Sequence, residues 1–154
     1  MKVLSVVGPS NAGKTTLIEK LVPILQKKGL RILVIKHALR FEVDREGKDS
    51  WRIFNAGADV LVASSKELFY RARIGDDLDR ICSMFNFYDL IITEGFSRAC
   101  KDRIVVLRKA EDVKKFECGR VLAVVCDENL EDYRCFRWDQ IDGLVELILD
   151  WLRR

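Results

Sequence analysis

At 154 residues the chain is long enough for one domain with a full hydrophobic core. A composition that is 49% hydrophobic and 33% charged excludes the disordered and fibrous classes. With 27 basic and 24 acidic residues the formal charge is only +3, too mild to argue for nucleic acid, and no apolar run reaches the roughly 18–20 residues of a membrane span.

Residues 3–7 are a continuous apolar run broken only by Ser5, as expected of a strand covered on both faces. A glycine-bounded loop, 8–13, leads into a helix over 14–28, where Leu17, Ile18, Leu21, Val22 and Leu25 share one face. Lys27 and Lys28 complement its dipole and Gly29 suits the position after its end, while Pro23 predicts a kink or a split. A strand over 31–35 precedes a polar loop, 36–49, and a short helix over 50–55 with Ser50 as N-cap. Strands follow at 59–63 and 68–72, the second alternating and so antiparallel or at an edge. Residues 76–87 read as a helix with Leu78, Ile81, Cys82 and Phe85 inside. Three more strands, 90–93, 104–107 and 121–126, lead to a closing helix over 139–152. Its stripe is Ile141, Leu144, Val145, Ile148, Leu149 and Leu152, flanked by Trp151.

The stretch 1–7 leads straight into the loop and does not read as a signal peptide. Five cysteines, at 82, 100, 118, 126 and 135, include no C-x-x-C pair. Their odd number and wide spacing predict reduced thiols in a cytoplasmic protein, with neither a disulfide framework nor a zinc site.

The segment from Gly8 to Thr15 satisfies G-x-x-x-x-G-K-[ST] in full and sits between a predicted strand and a predicted helix. A match by chance is on the order of 1% or less, given average glycine usage. Gly8 and Gly13 free the backbone, so that the amides of Ser10, Asn11 and Ala12 can wrap phosphate oxygens. Lys14 offers a cation to the β- and γ-phosphates, the Thr15 hydroxyl suits Mg²⁺, and Thr16 follows on the same helix N-terminus. Strand and helix alternation around this loop predicts an α/β fold. It is a P-loop NTPase-type three-layer sandwich, with a mostly parallel sheet and helices on both faces, in a single domain over 1–154.

Magnesium chemistry also needs carboxylates at the C-terminal ends of strands. Glu94 ends a strand and precedes Gly95, which makes it the favoured candidate; Asp89 starts the same strand and reads as structural. Asp44 and Asp49, in the polar loop, are further candidates.

Four blocks, in this order, give the chain a resemblance to the molybdopterin-guanine dinucleotide biosynthesis protein B family (MobB), small P-loop GTP-binding proteins. They are the P-loop with Thr16-Leu-Ile-Glu-Lys-Leu; Val34-Ile-Lys36-His37; Gly47-Lys48-Asp49-Ser50-Trp-Arg52 through Ala56-Gly57-Ala58; and Thr93-Glu94-Gly95-Phe96. The stretch Ala123-Val-Val-Cys-Asp127 and the helix opening at Trp138-Asp139 also fit. The resemblance implies GTP and Mg²⁺ as ligands, weak GTPase activity, and a supporting role beside the molybdenum cofactor guanylyltransferase that joins GMP to molybdopterin. By matching position, Gly13, Lys14 and Thr15 hold the triphosphate, and Asp49 and Glu94 belong to the magnesium side. Lys36, His37, Lys48 and Arg52 line the surface facing the phosphates or the cofactor. A homodimer is implied too, with the 68–72 or 104–107 strand pairing across it.

Two departures stand out. Ala38-Leu39-Arg40 follows the Lys-His pair where the family often has more histidine, so a histidine-based role is not carried over; and Ser97-Arg98 replaces an expected lysine. There is no N-K-x-D guanine reader, but Asp127, just past a strand, is placed to accept hydrogen bonds from guanine. The enzyme alternative is a small-molecule kinase or an ATP-dependent ligase of the dethiobiotin-synthetase type, for which the basic stretch 98–108 supplies lid-like arginines.

Overall fold

The computed structural model describes residues 2–38 and 43–154. Leu39 and Arg40, in the loop after the Lys-His pair, lie outside the described residues.

Central to the larger unit (Met1–His37 with Leu78–Arg154) is β1 (Lys2–Val7). β2 (Ile32–Lys36), β5 (Leu90–Glu94), β6 (Arg103–Val106), β7 (Val121–Val125) and β8 (Cys135–Phe136) complete a six-stranded sheet in the order β2-β5-β1-β6-β7-β8. All of its pairings are parallel. Such a sheet must be covered on both faces, and alternation along β1 shows how. Leu4 and Val6 join one core beneath α1 (Lys14–Lys27) and α4 (Ile141–Arg153), whose Leu17, Leu21, Leu25, Leu144 and Ile148 are fully buried. Val3 faces the opposite side with Leu78 and Cys82 of α3 (Leu78–Met84), and Val7 meets Val113 of a 3₁₀ turn (Ala110–Phe116). The unit is therefore three-layered. Ser5, the one polar break in the first strand, is buried and accepts from the Thr93 hydroxyl at 2.9 Å, in register across β1 and β5.

Pro23 does not split the helix, since α1 runs unbroken through it. The Ile104 strand is not a dimer edge: as β6 it lies between β1 and β7, with both ladders used. Asp89 caps the sheet's other end, with its carboxylate held by the Arg31 guanidinium at 2.9 and 3.0 Å and by the Arg31 amide. Trp151 is buried and donates its indole N–H to Asp102 at 2.7 Å.

The second unit, Ala38–Asp77, holds α2 (Asp49–Asn55) and an antiparallel hairpin of β3 (Val60–Ala63) and β4 (Leu68–Arg71). The Ser64 hydroxyl accepts from the Lys66 and Glu67 amides and so closes the turn. Ser50 is not the N-cap. Lys48 occupies that place, and the Ser50 hydroxyl is used to bind Asp44 at 2.9 Å. Leu61, Val62, Leu68 and Tyr70 are exposed on the hairpin.

Candidate functional site

The loop after β1 turns through three left-handed residues, Gly8 (φ 148°), Asn11 (φ 59°) and Gly13 (φ 101°). At Gly8 a Cβ would lie 2.1 Å from the Val106 carbonyl oxygen, so only glycine lets the loop leave the sheet beside β6. Gly13 is the N-cap of α1 and provides no side-chain cap, so no side chain there occupies the first-turn amides. No acidic side chain stands in that first turn to oppose an anion.

Lys14 lies across this loop, donating to the carbonyls of Gly8 (3.1 Å) and Pro9 (2.6 Å). Burial pushes its pKa down; Glu94 opposes that shift and Lys36 adds to it. The Thr15 hydroxyl donates to Glu94 Oε1 at 2.8 Å, and Lys36 Nζ stands 3.4 Å from the same oxygen. Register explains the convergence: Lys36, Glu94 and Val6 sit side by side at the C-terminal ends of β2, β5 and β1. Glu94 is buried, with its side chain only 11% exposed. Lys14, Thr15, Lys36 and Glu94 thus lie together at the C-terminal end of the sheet.

These residues fit a magnesium ion of the P-loop kind. The hydroxyl of Thr15 and the carboxylate of Glu94 offer two adjacent hard oxygens. Among the described residues no group of three or more His, Cys, Asp or Glu could enclose a metal. Mg²⁺ suits such a sparse donor set, because it retains water and shares phosphate oxygens.

His37 donates its backbone N–H to the Glu94 carbonyl at 2.9 Å, and its ring tilts against Phe96 with centroids 4.9 Å apart. Gly95 (φ 88°) permits this approach, since a Cβ there would come within 3.2 Å of the His37 Cβ. The imidazole is placed by packing beside the Glu94 strand end.

The other face of the loop opens on a cleft of roughly 610 Å³, lined by Asn11, Ala12, Gly13, Thr16, Lys20, Leu107, Arg108, Asp127 and Trp138. Asp127 is exposed there just past β7, as expected. Ser10, Asn11 and Thr16 are exposed and Ala12 is buried against the α1–α4 core. Lys20 and Trp138 stand in the blocks that carry the resemblance and Arg108 ends the basic 98–108 stretch, but neither motif nor periodicity predicts that they share a cleft with Leu107. Trp138 follows β8, whose two residues carry no periodic signal.

Lys48, Asp49 and Arg52 belong to the second unit, on the exposed start of α2, where Asp49 and Arg52 form an i,i+3 ion pair at 3.9 Å. Asp44 is committed to structure rather than to a metal: it binds Ser50 Oγ, the Arg45 amide and the Arg71 guanidinium. Burial works against the charged form of Asp44, but these hydrogen bonds outweigh it and hold its carboxyl below the usual range.

Two features of the 97–120 region differ from expectation. Arg103 is no lid arginine. It is fully buried in β6 and donates to the carbonyls of Ser97, Ala99, Lys101 and Phe116. Desolvation lowers its pKa, and the guanidinium pins the loop that follows Glu94. Nor are all five cysteines thiols: Cys100 and Cys118 form a disulfide, with Cα atoms 4.8 Å apart. Gly119 explains how the segments meet, since a Cβ there would lie 2.4 Å from the Lys101 carbonyl. Spacing of 18 residues concealed a contact made by tertiary folding. Cys82 and Cys126 are free and buried, and burial raises both thiols.

Comparison with known proteins places this geometry in context. Residues 3–127 match the family described as "Molybdopterin guanine dinucleotide synthesis protein B". A molybdopterin-guanine dinucleotide biosynthesis adapter protein of Haemophilus influenzae is 33% identical, over 97% of this chain and 89% of that one. The adapter protein of Escherichia coli K12 is 32% identical over 94% of this chain and 90% of its own. A crystal structure of molybdopterin-guanine biosynthesis protein B superposes with a TM-score of 0.87 at 47% identity, covering 99% of both chains. Bacillus subtilis MobB gives 0.81 at 28% identity over 97% of both.

Proposed function

Because the chain belongs to the molybdopterin guanine dinucleotide synthesis protein B family, we propose that it is a GTP-binding adapter of molybdenum cofactor biosynthesis with weak, Mg²⁺-dependent GTPase activity. The observation that carries the reading is the convergence of Lys14, Thr15 and Glu94 on the loop that opens α1. Loop amides and the N-terminal end of α1 hold the phosphates, and Lys14 swings from the Gly8 and Pro9 carbonyls onto the β- and γ-oxygens. Mg²⁺, when bound, neutralises charge developing on those oxygens. Thr15 and Glu94 hold its side of the site, with Asp49 assigned to the same role by family position. Glu94 also anchors Lys36 at the phosphate edge. Among the described residues no glutamine stands at this site to orient a water, which fits slow hydrolysis in the isolated protein. His37, Lys48 and Arg52 are assigned to the surface facing phosphates or cofactor, and Asp127 to the guanine edge.

The proposed partners are the molybdenum cofactor guanylyltransferase and molybdopterin, met in the cytoplasm. The proposed assembly is a homodimer, supported by the exposed Leu61, Val62, Leu68 and Tyr70 of the hairpin. Among the described residues no helix is long and apolar enough to cross a membrane.

Titration of GTP against ATP with Mg²⁺, with and without the GMP-transferring partner, tests the reading. GTP binds preferentially, and Lys14→Ala loses both triphosphate affinity and hydrolysis. Equal hydrolysis by wild type and Lys14→Ala removes catalysis from the account, and turnover near 10 per second by the isolated protein overturns the adapter reading.

A further inference from the structure

We propose that Trp138 is the platform for the purine base, with the Lys20 side chain closing over the base's other face. The proposal rests on the nucleotide reading above and extends it to residues beyond the phosphate loop. Three observations meet in the cleft beside Gly13.

The first is contact between indole and phosphate loop. A Cβ on Gly13 would fall 2.7 Å from Trp138 Cη2 and 2.9 Å from Cζ2, so the six-membered ring edge rests directly on the loop's last glycine. Anything stacked on the indole is thereby fixed relative to the phosphates. The second is that a cation lies over one face of the partly buried indole: the Lys20 ammonium is 5.5 Å from a ring centroid. A cation held there marks an electron-rich face, reachable by a flat ring that slides beneath the lysine stem. Thr16 and Lys20 stand one turn apart on the same face of α1, and both line the cleft. The helix therefore leads from the phosphate end to the base end over about 6 Å.

The third is the mixture of walls. Leu107 and Trp138 give apolar surface, while Asp127 and Arg108 supply an acceptor and a donor at the rim. Asp127 is exposed and has no partner among the described residues. Its carboxylate accepts only, so it matches the N1–H and 2-amino donors of guanine and opposes the bare N1 of adenine. The cleft volume, roughly 610 Å³, lies within the ~300–1,000 Å³ of small-molecule sites.

Calorimetric titration of GDP and of inorganic tripolyphosphate, both with Mg²⁺, tests this in wild type, Trp138→Ala and Trp138→Phe. Removing the platform weakens GDP on the order of ten- to a hundred-fold and leaves tripolyphosphate unchanged. Trp138→Phe, which keeps an aromatic face and guards against a folding defect in the alanine variant, retains most GDP affinity. Equal weakening of both ligands makes Trp138 a packing residue of the loop and overturns the platform, as does no change for either. Wild type that binds tripolyphosphate as tightly as GDP overturns the base subsite alone. Wild type that binds neither ligand overturns the phosphate reading together with the platform.

Discussion

Replacing Gly8 with alanine isolates the steric demand of the loop from the mere preference of glycine for left-handed backbone. Gly8 has φ +148° and its added Cβ would meet the Val106 carbonyl at 2.1 Å, whereas Gly29 has φ +88° and meets nothing within 4 Å. Both substitutions incur the cost of a left-handed alanine, roughly 1–2 kcal/mol. Only Gly8→Ala adds overpacking against backbone, a further ~1–3 kcal/mol, because the Val106 carbonyl sits in a parallel ladder and cannot rotate away. A chain of this length loses about 2–4 °C of Tm per kcal/mol. Gly8→Ala should then melt about 4–20 °C below wild type and Gly29→Ala about 2–8 °C below, as read by calorimetry. Equal melting shifts for the two variants would refute the claim that β6 dictates glycine at the loop's entrance.

Glu94→Gln keeps an acceptor for the Thr15 hydroxyl but removes the charge; the Mg²⁺-dependent part of nucleotide affinity should fall on the order of 10–100-fold, with binding in EDTA little changed. Cys118→Ser opens a span of 18 residues and should cost about 3 kcal/mol, measured as a melting shift that abolishes the protein's response to reductant. Asp89 is held at about 2, first by the Arg31 side-chain hydrogen bond and then by the Arg31 amide. Its folded pKa lies below the unfolded ~3.9, so the pair's stabilisation is complete above roughly pH 4 and is lost as pH falls through about 2. Asp89→Asn should flatten that acid limb in a denaturation series, and an unchanged limb would place the dependence elsewhere.

Much of the fold was legible because a buried parallel sheet writes itself as apolar runs. Leu4, Ile91, Val105 and Val124 are fully buried within their runs, each of which is a strand. The positions of Lys14 and Thr15 were legible from motif spacing, and that of Glu94 from its place at a strand end. β8 was not, since two residues show no period; it pairs with β7, and Phe136 packs in the core with α4. Trp138 was legible as the start of the closing helix, but its contact with Gly13 was not. Pro23 misled because it lies on the exposed side of α1, where the helix tolerates it. The disulfide and the caged Arg103 depend on the 97–101 loop folding back beside residue 119, which no local pattern records.

The parallel pairing of β1 with β5 also governs when the site comes into being. Thr15 and Glu94 are 79 residues apart in sequence and meet only through that pairing. Contacts of such separation close late and slowly. A nascent or partly unfolded chain holding the phosphate loop alone lacks Glu94's oxygen, so metal-dependent affinity reports completion of the sheet. Ligand that favours the finished sheet in turn draws the folding equilibrium towards it.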